Sequence, residues 1–154
     1  MTDAPDVIDL LLEDHRTVRG LLAELDAADT PDEQRRLYLR IAELHCGHEA
    51  AEEHVVFPAL RRAAPGAANA ALARIGEHQE LDQLLDEMQR LTPSGHAFTK
   101  RAVALVLALT AHLDAEEQLV FPLLRRSVTP DVLASLAVES ARAKERAPAF
   151  RAAV

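Results

Sequence analysis

Aromatic residues and cysteine are scarce in this chain. Aromatic side chains make up only 3% of the 154 residues, tryptophan is absent, and there is a single cysteine, Cys46. One cysteine excludes an internal disulfide and is typical of proteins from a reducing compartment. Ala and Leu dominate the apolar 49% of the chain, which favours closely packed helices over a sheet-based core. A chain of this length can bury a core of its own, so we expect one domain over residues 1–154.

Long apolar runs and an excess of basic residues are also lacking. No run approaches the roughly 18 apolar residues that a membrane span requires, and the acidic start of the chain has no basic region typical of a signal peptide. The formal net charge of -8 argues against nucleic acid and anionic membranes as partners. We therefore expect a cytoplasmic protein with no nucleic-acid or membrane partner, and the sequence identifies no protein partner or reductase.

Apolar residues recur at helical spacing along most of the chain. They predict four long helices at about 4–28, 30–62, 67–91 and 96–127, and a shorter fifth helix at about 129–146. The connections between the first four helices are short, which favours antiparallel neighbours. The predicted fold class is therefore all-α: an antiparallel up-down-up-down four-helix bundle at about 4–127, followed by a short C-terminal helix and tail at 128–154.

Prolines fall inside the second and fourth predicted helices, near their ends. Pro58 and Pro122 each lack the N–H that would bond to a carbonyl four residues earlier, so they are expected to kink the last turns. In the fourth helix, an uninterrupted helical period predicts an inner face that includes Leu119 and Leu123.

A stretch of the second helix is repeated in the fourth. Residues 48–62, HEAAEEHVVFPALRR, and residues 112–126, HLDAEEQLVFPLLRR, are identical at ten aligned positions. In both copies a Glu follows a His by four residues, as His48 with Glu52 and His112 with Glu116. That spacing places imidazole and carboxylate one turn apart on the same helix face. A repeated pair of this kind is a means of holding metal ions inside a helix bundle.

Four of the seven histidines occupy the inward face of four different predicted helices: His15, His48, His78 and His112. One such His is most simply a hydrogen-bonded core residue. Four together, two of them followed by an inward Glu, favour a metal site, because buried carboxylates without a cation carry a heavy desolvation cost. The six predicted ligands are His15, His48, Glu52, His78, His112 and Glu116. Six ligands exceed the needs of one ion, so we predict two metal ions per chain.

Other acidic and imidazole side chains lie near this set. The helical wheel turns Glu53 and Glu117 away from the inner face, so we expect surface residues that pair with the Arg-rich helix ends and do not affect metal loading. His45 and Glu49 form a further pair with four-residue spacing, one step out of register, and are alternative ligands. Asp82 follows His78 by four residues. It is open to several interpretations: a ligand, a hydrogen-bond acceptor for a ligand, a holder of water, or a polar boundary residue.

The remaining candidates are assigned to the surface or the edge of the core. His54 and His96 lie outside the inward faces and are expected to be solvated. Cys46 falls opposite the face of His48, which indicates a surface thiol, and Tyr38 lies at the edge of the core.

The order of these motifs along the chain resembles that of the hemerythrin-like, or HHE cation-binding, family over roughly residues 6–127. The match rests on one His in the first helix, His-x-x-x-Glu in the second, one His in the third, and His-x-x-x-Glu followed by Phe-Pro in the fourth. The resemblance implies a non-haem di-iron centre with an oxo or hydroxo bridge. By the same resemblance the four histidines would be terminal ligands, and Glu52 and Glu116 would bridge the ions. His and carboxylate ligands also accept manganese, zinc or cobalt, so iron follows from the resemblance alone.

Two departures argue against reversible oxygen carriage. Oxygen-carrying hemerythrins have a second His four residues after the first in the third helix, where this chain has Asp82. Their fourth helix places an Asp five residues after its His, where this chain has Glu116 at four. A carboxylate at position 82 would offer a proton acceptor beside the metals, so Asp82 is a candidate catalytic residue.

The leading expectation is a di-iron protein that binds or turns over a small oxidant: hydrogen peroxide in a catalase-like reaction, dioxygen, or nitric oxide. The alternative is an iron or oxygen sensor or an iron buffer without catalytic turnover. A metal-free helical interaction module would require the arrangement of six ligands to be accidental.

Overall fold

Helices account for most of residues 4–150, the part of the chain that the computed structural model describes, and no β-strand occurs among these residues. The α-helices are α1 (Val7–Ala27), α2 (Pro31–Ala51), α3 (Phe57–Ala63), α4 (Ala68–Gln89), α5 (His96–Ala115), α6 (Phe121–Ser127) and α7 (Pro130–Arg146). A π-helical turn, Glu52–Val56, joins α2 to α3, and a second, Glu116–Val120, joins α5 to α6. A 3-10 turn, Pro65–Ala67, precedes α4. The all-α prediction is confirmed.

Side-chain caps define where three of the helices begin. Asp6 accepts hydrogen bonds from the N–H groups of Ile8 and Asp9 at the start of α1, and the Asp9 carboxylate accepts one from the Asp6 N–H in return. Thr30 and Thr129 cap α2 and α7 by accepting one hydrogen bond each, from the N–H groups of Glu33 and Val132, and each is followed by a proline at the first helical position. These caps satisfy backbone donors that have no partner inside the helix.

The bundle consists of four rods: α1 is rod 1, α2 with α3 is rod 2, α4 is rod 3, and α5 with α6 is rod 4. Rods 1 and 4 are antiparallel, because Asp6 pairs with Arg125 at one end and Arg19 pairs with Asp114 further along. Rods 1 and 2 are antiparallel, because Gln34 bonds to Ala28 and His48 bonds to Asp14. Rods 2 and 3 are antiparallel, because Tyr38 bonds to Leu85 and Glu53 bonds to His78. Rods 3 and 4 are antiparallel, because Glu87 pairs with Arg101 and Glu77 pairs with His112. The up-down-up-down arrangement is thus present.

Two apolar clusters fill the bundle, one towards each end. The first includes Leu11, Phe57 and Val120, and α7 packs onto it with Leu133, Leu136 and Ala137. The second includes Val18, Ile41 and Leu109. Between the two clusters, each rod contributes buried polar side chains in place of apolar ones. The polar residues therefore form a layer at mid-height of the bundle. No helix within residues 4–150 combines the length and the hydropathy needed to cross a membrane.

The two π-helical turns modify the predicted inner face of rod 4. Each turn begins at the Glu of the repeated motif, and the N–H of the following Phe bonds to that Glu carbonyl, five residues earlier. The turn contains one extra residue, so the buried face shifts by one position beyond Glu116. Val120 and Leu124 are fully buried, whereas Leu119 is 58% exposed and Leu123 only partly buried. The prediction that Leu119 faces inward was wrong for this reason.

The prolines lie directly after these turns. Pro58 and Pro122 each occupy the second position of a short α-helix, α3 or α6, that continues the rod. The expected irregularity is present, and it takes the form of a widened turn before each proline. A widened turn suits a proline, because the ring would otherwise clash with a carbonyl of the preceding turn.

The shifted register predicts opposite effects for two leucines in rod 4. Leu124→Ala should lower the free energy of unfolding by about 2–5 kcal/mol, because it empties a fully buried site. Leu119→Ala should change it by no more than about 0.5 kcal/mol, since the side chain is largely exposed. Urea unfolding monitored by circular dichroism measures both. A larger loss for Leu119→Ala would mean that rod 4 keeps the uninterrupted helical period.

Candidate metal centre

The structure brings the six predicted ligands together in the buried polar layer. Their ligand atoms form two groups of four, each within 4.8 Å: His15, His48, Glu52 and Glu116, and Glu52, His78, His112 and Glu116. All six side chains are buried, and the two carboxylates have no exposed surface. Both groups include Glu52 and Glu116. The arrangement therefore offers two adjacent cation positions linked by two shared carboxylates.

Each shared carboxylate contacts imidazoles from two rods. Glu52 lies 3.1 Å from His48 Nε2 in its own rod and 3.1 Å from His78 Nε2 in rod 3. Glu116 lies 3.1 Å from His112 Nε2 in its own rod and 3.2 Å from His15 Nε2 in rod 1. The four-residue spacing supplies the contacts within a rod, and antiparallel packing supplies those between rods.

The donor atoms fit a bound metal. His15 Nε2 and His48 Nε2 are only 3.2 Å apart, so two ring nitrogens face the same small space. His112 Nε2 and both oxygens of Glu116 are buried without an acceptable hydrogen-bond partner. Buried polar atoms without partners are uncommon in proteins. Imidazole and carboxylate together are ligands for iron, manganese or zinc, so cations in the two positions would satisfy these atoms.

A second set of carboxylates surrounds the imidazoles. The Nδ1 atom of each predicted His ligand lies 2.6–2.9 Å from a carboxylate of the neighbouring rod: His48 from Asp14, His78 from Glu53, His112 from Glu77 and His15 from Glu117. Asp14, Glu53, Glu77 and Glu117, hereafter the carboxylate ring, thus connect rod 1 to rod 2, 2 to 3, 3 to 4, and 4 back to 1. A carboxylate on Nδ1 fixes the tautomer that leaves the Nε2 lone pair pointing inward.

This ring corrects the sequence-based placement of two residues. Glu53 and Glu117 were expected on the surface, paired with the Arg-rich helix ends. They are instead only about one-third exposed, at 30% and 34%, and each binds a ligand imidazole. The helical wheel is right that they do not point at the bundle axis. They point sideways, towards the next rod, and a wheel drawn for one helix does not show that contact.

Sequence reasoning missed the other two members of the ring altogether. Asp14 directly precedes His15, and Glu77 directly precedes His78. Every acid of the ring therefore adjoins a predicted ligand in sequence, on the side that faces a neighbouring rod. An acid beside each inward ligand was the available signal.

Basic side chains contact three of the four ring carboxylates. Arg19 pairs with Glu117 at 3.1 Å, Arg74 pairs with Glu77 at 2.7 Å, and Lys144 of α7 pairs with Asp14. Burial alone would raise the pKa of Asp14, but its bonds to His48 and Lys144 lower that pKa. Within residues 4–150, Glu53 forms no ion pair with a Lys or Arg.

The phenylalanines of the repeated motif contact two of the imidazoles. Phe57 stacks on His78 with ring centroids 5.9 Å apart and planes inclined by 22°. Phe121 lies 5.2 Å from the ring of His15. Each Phe follows a π-helical turn and reaches the His of an adjacent rod. The Phe-Pro part of the repeat thus helps to hold a ligand in place and limits water beside it.

His45, Glu49 and Asp82 lie together outside both groups of four, and we refer to them as the side cluster. His45 is 3% exposed, and its Nε2 is 3.4 Å from Glu49 and 3.7 Å from Asp82. Burial and the neighbouring imidazoles lower the pKa of His45 to about 3. Burial raises the pKa of Glu49 to about 8 and also raises the pKa of Asp82. Asp82 therefore contacts the side cluster and not the predicted metal positions.

The remaining candidates belong to neither the two groups of four nor the side cluster. His54 and His96 are exposed, as expected. Cys46 is partly buried and belongs to none of the possible ligand groups among the described residues. Burial raises the pKa of its thiol to about 11. Tyr38 is buried, and its hydroxyl donates to the Leu85 carbonyl at 2.6 Å.

Without metal, protons are held tightly in the centre. Burial opposes the charged form of His78, but its bonds to Glu52 and Glu53 outweigh burial and raise its pKa to about 9. The pKa values of His48 and His112 are raised for the same reasons. Burial would raise the pKa of Glu116, yet the close approach of the surrounding imidazoles holds that pKa well below its usual value. Protonated imidazoles and carboxylates thus balance charge until a cation takes the place of the protons.

The chain is similar to known helical proteins over nearly its whole length. A family model described as the Hemerythrin HHE cation binding domain matches residues 6–150. The crystal structure of a hemerythrin HHE cation binding domain-containing protein from Mycobacterium kansasii matches with a TM-score of 0.79 and 22% identity, covering 93% of this chain and 87% of that chain. At this identity the likeness concerns the fold. A protein named DNA nickase from Nostoc sp. (strain PCC 7120) is 25% identical over 141 residues. The match covers 92% of this chain but only 40% of the relative.

The carboxylate ring predicts that Glu117 affects metal affinity. Glu117→Gln removes the negative charge on His15 Nδ1 and should weaken metal binding on the order of 10-fold to 100-fold, as with other carboxylates that orient a ligand imidazole. Glu13→Gln is the matched control, since Glu13 is exposed and pairs only with Arg16. Competition with a chelator of known affinity measures both. Equal affinity in the two variants would return Glu117 to the role of a surface residue.

The raised imidazole pKa values predict how the stability of the metal-free protein varies with pH. The pKa of His78 is raised from 6.5 to about 9, so its contribution is complete below pH 6.5 and is lost as the pH rises to about 9. Glu49, with its pKa raised to about 8, acts in the same direction. The melting temperature of chelator-treated protein should therefore fall between pH 6.5 and 9.

Two variants test the assignment to His78. His78→Gln should flatten the decline in melting temperature over this range, while His96→Gln, at an exposed position, should leave it unchanged. Metal-loaded protein should also show a weaker decline, because metal replaces the protons. A melting temperature that rises with pH in the metal-free protein would contradict the direction of these pKa shifts.

Proposed function

The chain belongs to the hemerythrin HHE cation-binding family, and from this premise we propose that it binds two iron ions in the buried centre and decomposes hydrogen peroxide. The observation that carries the proposal is the pair of four-donor groups that share Glu52 and Glu116. Two bridging carboxylates with two imidazoles on each side favour two ions over one. Family membership supports a metal site, and the choice of iron and of peroxide is our inference.

Two iron ions, when bound, would supply the paired one-electron changes that peroxide chemistry requires. His15 and His48 would hold one ion, His78 and His112 the other, and Glu52 and Glu116 would contact both. Six protein side chains do not fill the coordination positions of two iron ions, so space remains for a small ligand. Zinc would accept the same donors but is redox-inactive.

The residues around the centre restrict what reaches it. The carboxylate ring keeps each imidazole turned inward, and the two apolar clusters lie above and below the polar layer. Phe57 and Phe121 cover two of the imidazoles. Such walls admit a small neutral molecule more readily than a large or charged one. Hydrogen peroxide meets both requirements.

Decomposition of hydrogen peroxide requires no external reductant. Two molecules of hydrogen peroxide give two molecules of water and one of dioxygen. One peroxide is reduced and the other is oxidised, so electrons and protons balance without another reactant. Reversible dioxygen carriage is less well supported, because rod 3 provides one imidazole to the centre and Asp82 turns to the side cluster instead.

The name of the Nostoc relative does not extend to this chain. The match spans less than half of that relative, and a nickase must bind the phosphate backbone, which requires basic side chains. This chain has 17 basic and 25 acidic residues. We therefore do not propose DNA cleavage.

An iron or oxygen sensor, or an iron buffer, is the second candidate. The ligands come from all four rods, and Lys144 links α7 to the centre through Asp14. Metal binding would therefore alter the stability of the whole bundle, and a partner could recognise that change. This candidate differs from the first in requiring no turnover.

Iron-loaded protein should contain two iron ions per chain and release one dioxygen for every two peroxides consumed. Elemental analysis and an oxygen electrode measure the two quantities. Protein loaded with zinc is the matched control and should release no dioxygen. Two iron ions without dioxygen release would overturn the peroxide proposal in favour of sensing or buffering. A metal content of one or fewer would overturn the binuclear centre.

A further inference from the structure

The side cluster contains a buried ring nitrogen without a hydrogen-bond partner. His45 Nε2 belongs to a side chain that is 3% exposed, and no group within residues 4–150 forms a hydrogen bond to it. It faces Glu49 Oε2 at 3.4 Å and Asp82 Oδ1 at 3.7 Å. One nitrogen and two carboxylate oxygens within 4.8 Å of one another are a donor set for a divalent cation. The binuclear centre uses none of these three side chains.

Overlapping donor groups connect the side cluster to the buried centre. Glu49 also belongs to a group with Glu53 and His78, whose ligand atoms again lie within 4.8 Å of one another. His78 in turn belongs to the second four-donor group of the centre. The shared residues Glu49 and His78 thus form a series of possible ligands between the side cluster and the centre, with Glu53 on the Nδ1 side of His78 and Glu52 on the Nε2 side.

An acidic groove lies outside the side cluster. It is an open depression with a volume of about 330 Å³, and its titratable lining consists of Cys46, Glu49, Glu53, His54, Asp82 and Asp86. Among residues 4–150, no Lys or Arg lines it. A cleft with charges of one sign raises the local concentration of oppositely charged ions. The groove therefore favours cations at the place where the side cluster meets solvent.

The interface between rods 2 and 3, which contains the side cluster, differs from the corresponding interface between rods 4 and 1. When the repeated motifs are aligned, His45 corresponds to Leu109 and Glu49 to Leu113, both of which belong to an apolar cluster. Asp82 follows His78 by four residues, and at the same distance after His15 the chain has Arg19.

The residue four positions after His15 or His78 differs in charge, and this difference affects the neighbouring ring carboxylate. Arg19 pairs with the ring carboxylate Glu117. Asp82 has the opposite charge, and the corresponding ring carboxylate, Glu53, forms no ion pair with a Lys or Arg among the described residues. One side of the centre is thus closed by apolar residues and an ion pair. The other side carries ligands that continue to the surface.

We propose that the side cluster is a loading site, where a divalent cation binds to His45, Glu49 and Asp82 before it passes by Glu53 to the centre. The proposal rests on the binuclear centre described under the proposed function. The loading site is half-open to solvent, since the Asp82 side chain is 46% exposed, and it has three protein ligands. It should therefore bind more weakly than the buried positions and exchange its ion more readily.

Loading kinetics test the proposal with Co²⁺, whose visible absorption reports binding to imidazole and carboxylate. Chelator-treated full-length protein is mixed with Co²⁺ in a stopped-flow instrument, and circular dichroism verifies the fold of each variant. Asp82→Arg imitates Arg19 at the interface between rods 4 and 1, and it should place a positively charged guanidinium group beside Glu53. Glu49→Gln removes a ligand with little change in shape. Asp86→Arg is the charge-matched control, because Asp86 lines the same groove but lies outside the side cluster.

Asp82→Arg and Glu49→Gln should load the centre more slowly by about tenfold or more, while Asp86→Arg should slow it only a few-fold through the weaker field. All three should still reach two ions per chain at equilibrium. In addition, equilibrium dialysis of loaded wild-type protein against excess Co²⁺ should detect a third, weaker ion, which Asp82→Arg and Glu49→Gln lose.

Three results would overturn the loading site. Wild-type protein could bind two ions and no third, the two cluster variants could load at the wild-type rate, or Asp86→Arg could slow loading as much as Asp82→Arg. Each of these leaves the binuclear centre intact. Wild-type protein that takes up no cobalt in the centre would instead overturn both proposals.

Discussion

Burial of two carboxylates is the constraint on which the bundle depends. Glu52 and Glu116 have no exposed surface, and an unpaired buried charge costs several kcal/mol. The imidazoles of all four rods surround them, so the charges can be balanced by protons or by metal. Apolar residues could not occupy these places without leaving the carboxylates uncompensated. The polar layer therefore divides the interior into two apolar clusters and fixes the height at which the rods align.

The carboxylate ring extends this constraint to the outside of the bundle. Each of its four bonds joins one rod to the next, and the last returns to the first. An imidazole that lost its ring carboxylate could rotate, and its Nε2 atom would no longer be held towards the centre. Arg19, Arg74 and Lys144 hold three of the ring carboxylates in turn. The orientation of three of the four imidazoles thus depends on basic side chains that lie outside the ring.

The inward positions of the six candidate ligands could be predicted because they follow the helical period. The carboxylate ring and the shifted register could not be predicted in this way. A period assigns each residue to the inside or outside of its own helix. Asp14, Glu53, Glu77 and Glu117 point between these directions, and their partners depend on which rod packs beside them. The π-helical turn at Glu116 adds one residue to one turn. The hydrophobic periodicity shows no break there. The sequence therefore predicts that Leu119 faces inward, whereas Val120 and Leu124 are the buried residues.

The repeated motif explains the symmetry of the centre and also makes its one asymmetry informative. Both halves contribute a His, a His-x-x-x-Glu pair, a π-helical turn and a Phe that covers an imidazole. If this symmetry were complete, apolar residues and an ion pair to a ring carboxylate would cover the centre at both interfaces, between rods 2 and 3 and between rods 4 and 1. Leu109, Leu113 and Arg19 close one interface in this way. At the other interface His45, Glu49 and Asp82 are polar, and Glu49 and Asp82 line a groove that is open to solvent. If the buried centre receives ions as proposed, a polar side confined to the interface between rods 2 and 3 would admit them while the interface between rods 4 and 1 keeps its apolar packing.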